Sequence, residues 1–174
     1  KEKIMSNKPT PIDQEVNWDK SKMLMSKTDL SGTIEYCNAN FIKVAGYTED
    51  ELIGKPHNII RHPDMPSVIF KVLWEHLKKY ENINAVVKNM SKTGEYYWVV
   101  TDFDFVKNTD LKITHYSGIR RSISDDVVKN TFDPLYKKLK EIETASGVDA
   151  SEAHLKEVLA GKSYNDWVKE ILGK

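Results

Sequence analysis

Hydrophobic and polar positions alternate with a strand period near the start of the chain, switch to helical spacing in its middle, and return to a strand period before a helical tail. Met23-Leu24-Met25-Ser26-Lys27-Thr28 predicts a strand, Asp29-Leu30-Ser31-Gly32 a turn, and Thr33-Ile34-Glu35-Tyr36-Cys37 the returning strand of a hairpin. Asn38 is placed to cap a short helix, Ala39 to Ala45, which Gly46 ends from the C′ position. Thr48-Glu49-Asp50-Glu51 reads as a capping box opening a second short helix, with Gly54 past its end. From Ser67 on, Ile69, Phe70, Leu73, Trp74 and Leu77 recur at helical spacing, with Lys71, Glu75, Lys78 and Lys79 between them. Strands are then predicted over Asn84 to Met90, Glu95 to Lys107 and Lys112 to Ile123, separated by Ser91-Lys92-Thr93-Gly94 and Asn108-Thr109-Asp110. Ser124-Asp125-Asp126 caps a helix running to about Glu143, interrupted near Pro134 and broken by Gly147. Ser151 to Ala160 and Ser163 to Leu172 predict two more short helices, separated by Gly161.

Strands joined by tight turns pair antiparallel. The simplest packing is an α+β fold: one curved, five-stranded antiparallel sheet with the short helices on one face. Helices this broken leave the concave side incompletely filled, so a cavity is expected between them and the sheet. The polar opening, Lys1 to Thr10, is expected to be loose, and Pro11 to Asp19 carries Ile12, Val16 and Trp18, enough to lie on something.

Composition narrows the function. The chain has 174 residues, long enough for a substantial core, and its 26 basic and 26 acidic residues balance to a formal charge of zero. Nothing in that balance draws it in bulk to nucleic acid or anionic lipid. A single cysteine, Cys37, excludes an intramolecular disulfide and fits a reducing compartment. No apolar run approaches the roughly 20 residues of a membrane span, and Lys1 to Lys8 lacks the apolar region of a signal peptide. A cytoplasmic location without membrane insertion is expected, with Met5 a candidate native start.

The densest chemistry lies in Pro56-His57-Asn58-Ile59-Ile60-Arg61-His62-Pro63-Asp64-Met65-Pro66, where two histidines, an arginine, an asparagine and an aspartate are punctuated by three prolines. Proline fixes φ and biases its predecessor away from αR. The segment is therefore a short, stiff turn holding polar side chains in a fixed array, as a polar, hydrogen-bonding ligand requires.

Several stretches carry a family resemblance: Thr28-Asp29-Leu30-Ser31-Gly32-Thr33-Ile34, Asn38-Ala39-Asn40-Phe41, the run from Ala45 to Pro56, and Lys92-Thr93-Gly94-Glu95-Tyr96-Tyr97-Trp98. Lys22 to Ile123 resembles a PAS sensory domain. The run His57 to Pro66 narrows the likeness to the subgroup of bacterial aerotaxis receptors (Aer) and the freestanding energy-taxis protein CetB. Val87-Lys88-Asn89 and Asp133-Pro134-Leu135-Tyr136 extend it. The resemblance implies three parts: an N-terminal cap segment, 1–21; a PAS domain, 22–123; and a C-terminal helical extension, 124–174. It implies a non-covalently held FAD that reports redox state to chemotaxis signalling. It also carries the subgroup's flavin-associated positions onto Asn38, His57, Arg61, His62, Asp64, Trp74 and Asn89. Flavin-binding LOV domains, also PAS folds, place a ring-contacting asparagine where Asn89 stands and their light-reactive cysteine close to His57. That cysteine is absent, which speaks against LOV photochemistry. The second LOV asparagine aligns with Val99, so the ring must be held differently.

The residue chemistry fits such a ligand. Asn89 can both donate and accept, Arg61 is a bidentate phosphate partner, and Trp74 can stack on a ring. Each has a plainer role: Arg61 as an ion pair with Asp64 bracing the turn, Trp74 as core, Asn89 as a strand-end hydrogen bonder. His57, His62 and Asp64 have the chemistry of metal ligands, but their spacing is not a common zinc pattern. A haem held by an axial histidine and a ligand-free interaction module remain alternatives. No catalytic set is present: Ser67 lies near His62 without a nucleophile elbow, and Asp102 and Asp104 read as solvated or edge-protecting. A sensor rather than an enzyme is expected.

On the long strand, Tyr97, Val99, Thr101, Phe103 and Phe105 share one face, and Tyr96, Trp98 and Val100 the other. The LOV comparison assigns Tyr97 and Val99 to the cavity. Tyr96, Trp98 and Val100 then form an outer apolar strip that needs a cover. The chain's own N-terminus, a second copy of the chain in a homodimer, or a partner would serve. The expected partner is a membrane-bound chemotaxis receptor with its HAMP or signalling domain.

Overall fold

The computed structural model describes residues 8–174. The readings of residues 1–7, including Met5 as a start, lie outside the described residues. Strands β1 (Leu24–Asp29) and β2 (Ile34–Cys37) form the predicted hairpin. Its turn is held by the Asp29 carboxylate, which accepts from the backbone N–H of Ser31 and Thr33. Helix α1 (Ala39–Ala45) starts under the Asn38 side chain and stops at Gly46, whose φ of 75° is the left-handed value glycine supplies. Helix α2 (Glu49–Leu52) has the complete Thr48–Glu51 capping box. A single 3-10 turn, His57–Ile60, is all the regular structure the polar-proline segment makes. Helix α3 (Ser67–Lys78) follows, then β3 (Asn84–Met90), β4 (Tyr96–Lys107) and β5 (Ile113–Ser122).

The five strands form one antiparallel sheet in the order β2-β1-β5-β4-β3, as the α+β expectation requires. Its two halves meet where β1, from the start of the fold, pairs with β5, from its end. The short helices and α3 pack buried Phe41, Leu52, Ile60, Ile69, Leu73 and Leu77 into the common core with the sheet.

The tail departs from its predicted boundaries. Short α4 (Asp125–Val127) is followed by a π turn, Val128–Phe132, before α5 (Asp133–Ser146), so the helical run is interrupted just ahead of Pro134, as its sequence predicts. The proline itself falls in the first turn of α5. Helix α6 (Val148–Leu159) begins directly after Gly147, three residues before the predicted start at Ser151. Helix α7 (Tyr164–Ile171) is capped by Ser163. No helix among the described residues is long and apolar enough to cross a membrane.

The outer strip has its cover within the chain. The N-terminal segment runs beside the start of β4, with Val16 N–H donating to Tyr96 O (2.8 Å) and Tyr96 N–H to Gln14 O (2.9 Å). Helix α5 lays Tyr136 against Trp98, ring centroids 5.8 Å apart. Trp98 and Val100 are consequently buried. Of the covers weighed for Tyr96, Trp98 and Val100, the chain's own N-terminal segment occupies the strip, joined by α5.

Candidate cofactor-binding site

A cavity of about 270 Å³ lies between the concave face of the sheet and the helical layer. Its sides are apolar: Ile60, Phe70, Leu73, Trp74 and Leu77 from the helical side and Val87, Phe103 and Tyr116 from the sheet. Helix α3 turns its Phe70, Leu73, Trp74 and Leu77 stripe inward, the i, i+3, i+4, i+7 spacing of one helix face. Gly32 makes room at the rim. A Cβ there would meet the Trp74 ring at 3.4 Å, and its φ of 89° disfavours a side chain in any case.

The remaining wall is polar and under-satisfied. Arg120, on β5, is 4% exposed. Its guanidinium donates to Ser26 Oγ (2.9 Å), Gly118 O (3.3 Å) and His57 Nε2 (2.9 Å). None of these is a carboxylate, and Arg120 forms no salt bridge among the described residues. Burial pulls its pKa down to about 10, so it remains a cation at neutral pH. Burial first, and the Arg120 charge second, push the His57 pKa down to about 3. A neutral imidazole that accepts from Arg120 at Nε2 carries its proton on Nδ1, so the tautomer is set by the arginine. Ser26 Oγ lies 3.1 Å from the same Nε2 and ties β1 into the cluster. Two further polar side chains of the wall are buried with no hydrogen-bond partner among the described residues: Asn89 through Nδ2 and Thr101 through Oγ1. Each such group costs about 1–3 kcal/mol unless something satisfies it.

Of the expected site residues, His57, Arg61, Trp74 and Asn89 line this cavity together. Arg61 does not pair with Asp64. Its guanidinium stacks 4.0 Å above the Phe70 ring and donates to Ser67 Oγ at 3.2 Å. The other four expected residues lie off the cavity. Asn38 accepts from Phe41 N (2.9 Å) and Met25 N (3.1 Å) and donates to Met23 O (3.1 Å), so it is a helix cap that fastens α1 to β1. His62 is buried with Nδ1 accepting from Asp64 N (3.0 Å), and burial lowers its pKa to about 4. Asp64 is exposed and pairs with Lys88 at 3.3 Å. Tyr97 is buried on the inner side of β4 with its hydroxyl unpartnered, but it is not part of the lining.

The alternatives fit less well. The ring nitrogen through which His57 would ligate a haem iron accepts from a cation instead. No cluster of three or more His, Cys, Asp or Glu side chains suited to a metal ion occurs among the described residues.

Comparison with known proteins places this geometry in a family. The model of the PAS fold matches residues 34–120. The chain belongs to the PAS family. The aerotaxis receptor of Escherichia coli is 39% identical over 145 residues, which are 83% of this chain and 28% of that receptor. The biofilm dispersion protein BdlA of Pseudomonas aeruginosa is 26% identical over 121 residues, 66% of this chain and 29% of that protein. The chain thus spans less than a third of either relative. Among solved structures, a light-oxygen-voltage domain studied with a flavin analogue superposes with a TM-score of 0.59 at 18% identity. The superposition covers 66% of this chain and 87% of that domain. The light state of the Aureochrome1 LOV domain gives 0.58 at 18% identity, covering 64% and 89%. At such identity these structures speak to the PAS fold alone.

Sequence reasoning missed Arg120 and Ser26, and it placed Thr101 on the cavity-facing side of β4 without giving it a role. The signal was available in strand alternation. Tyr116, Gly118 and Arg120 share a face of β5, and Leu24, Ser26 and Thr28 share one of β1. Polar residues on an inward strand face mark a cavity as surely as a motif does.

Proposed function

We propose that the chain is a flavin-binding redox sensor of the PAS family, reporting to chemotaxis-type signalling. The observation that carries this reading is the cavity itself: an apolar slot closed by a buried, uncompensated arginine, a neutral histidine and two unpartnered polar side chains. An isoalloxazine ring needs that combination, a flat apolar slot with donors and acceptors along one edge. A bound flavin supplies reversible electron uptake, with a proton gained at N5 and negative charge developing near N1. Arg120 favours a ligand form that carries added negative charge, because no carboxylate neutralises it. Asn89 presents an unused donor, and Arg61, half-buried at the rim, offers a cation suited to phosphate.

FAD is the flavin we assign. The name and the 39% identity of the E. coli aerotaxis receptor support a role in oxygen or energy taxis. The partner we assign is a membrane-bound chemotaxis receptor or its HAMP or signalling domain, with residues 22–123 as the sensory unit, a cytoplasmic setting and no enzymatic turnover. An absorbance spectrum tests the core of this reading. Purified protein, or protein incubated with FAD, is expected to show flavin bands that bleach with dithionite and to release FAD on denaturation. A colourless protein that takes up no flavin sinks it.

A further inference from the structure

The mouth of the cavity carries a cation that the polar-proline segment does not supply. Lys8 comes from the N-terminal segment, and its Nζ donates to Asn58 O (2.8 Å) and Arg61 O (3.3 Å). Asn58 and Arg61 both line the cavity, at the end of the 3-10 turn. An ammonium has three N–H donors, so these two bonds leave one uncommitted among the described residues. The polar partners of Lys8 and Arg61 there are carbonyls and a hydroxyl, never a carboxylate.

The two positive charges also oppose each other. Burial first, and the Arg61 charge second, hold the Lys8 pKa below the ordinary lysine value. Glu143 is the carboxylate that faces Arg61, but its oxygens already accept from Ser67 N–H (2.9 Å), Val68 N–H (2.8 Å) and Ser151 Oγ (3.4 Å). A pair of cations at the mouth of a cavity is a place where an anionic group of a ligand gains from both.

The backbone holds Lys8 to this position. Ile12 N–H donates to Gly94 O (3.0 Å), just before the segment pairs with Tyr96. Thr10 O passes so close over Gly94 that a Cβ there would collide with it. Pro9 alone separates Thr10 from Lys8, and its fixed φ limits how far the lysine can swing.

The cavity, about 270 Å³, lies just under the range of roughly 300–1,000 Å³ usual for pockets that enclose a whole drug-sized ligand. A flavin ring system fits within it, and the phosphorylated tail of an FAD must leave past Asn58 and Arg61. We propose that Lys8 and Arg61 together grip the phosphate of that tail, with Lys8 a specificity residue that selects a phosphorylated flavin over the unphosphorylated one. The N-terminal segment then belongs to the binding site as well as to the cover of the outer strip. A lysine in this place also braces the carbonyls at the end of the turn, and the test separates the two roles.

This inference rests on the flavin reading, and comparing FAD with riboflavin, which has the same ring and no phosphate, tells them apart. Lys8→Gln in the full chain is expected to raise the FAD dissociation constant about fivefold, the effect of a favourable, partly exposed ion pair, and to leave riboflavin binding unchanged. Lys8→Arg, which keeps the charge, is expected to keep the FAD affinity. Added salt should weaken FAD binding more steeply in the native chain than in Lys8→Gln. The proposal is overturned while the flavin reading stands if Lys8→Gln binds FAD as tightly as the native chain. It is equally overturned if the variant loses FAD and riboflavin by the same factor, which marks Lys8 as a brace of the turn. Should riboflavin bind the native chain too weakly to measure, identical salt slopes for the two proteins overturn it. A native chain that takes up neither flavin overturns both readings.

Discussion

At the scale of single residues, the site is governed by one unbalanced charge. Arg120 can curl back over β5 only because residue 118 is glycine: a Cβ there would lie 2.9 Å from one guanidinium nitrogen and 3.1 Å from the other. Gly118→Ala is therefore expected to displace the guanidinium without removing its charge. Arg120→Ala removes both. If the arginine holds His57 neutral, each variant should raise the histidine's pKa from about 3 toward the ordinary 6.5, followed by NMR titration of the imidazole. Both should weaken flavin binding about tenfold or more, since a charge-assisted hydrogen bond contributes roughly 1.5–3 kcal/mol. A His57 titration left in place in both variants would show that burial alone sets it. Asn38 provides the contrast. Its side chain caps α1, so Asn38→Ala should cost about 1 kcal/mol in urea unfolding while leaving flavin affinity unchanged.

At the scale of elements, local rules were legible wherever the chain solves a local problem. The Asn38 cap, the Thr48 box and the Gly46 stop fix α1 and α2, and β3 falls on the residues its alternation predicts. The rule failed where tertiary contact decides. Asn38 drew a ligand role only from the family resemblance, while its own sequence position marked the cap that the structure shows. His62 and Asp64 share the stiff elbow with His57 and Arg61, yet His62 is buried off the cavity and Asp64 is exposed beside Lys88. Arg120 was invisible beside Arg121, because an Arg-Arg pair on a strand reads as exposed until the register shows which of the two faces inward. Local misfits remain at Tyr80, Leu111 and Ala160, the non-glycine residues with left-handed φ among the described residues. Ala160 ends α6 at φ 50°, a left-handed conformation that costs an L-residue about 1–2 kcal/mol. Ala160→Gly is expected to stabilise the chain by roughly 0.5–1 kcal/mol net of glycine's greater unfolded-state entropy, read from the shift in unfolding midpoint.

At the scale of the whole molecule, the N-terminal segment and the C-terminal helices clamp the sheet, and the acid stability of that assembly follows from half-buried His57 and buried His62. His57 and His62 have native pKa values pushed down by burial to about 3 and about 4. Unfolding returns both toward 6.5. Below that pH the unfolded chain binds protons that the native chain refuses, so the stabilisation is complete above about 6.5 and is lost as the pH falls toward 4. Each histidine contributes a slope of about 1.4 kcal/mol per pH unit through that window. Urea unfolding at pH 7.5, 6 and 5 should show stability falling with up to two protons taken up, and His62→Gln should halve the slope if it folds. His57→Gln should flatten it to the same extent and also disturb the flavin spectrum, because only His57 borders the cavity. A slope absent from the native chain would mean that neither ring is held away from water, and the cavity's polar wall would then be open to solvent rather than closed around a ligand.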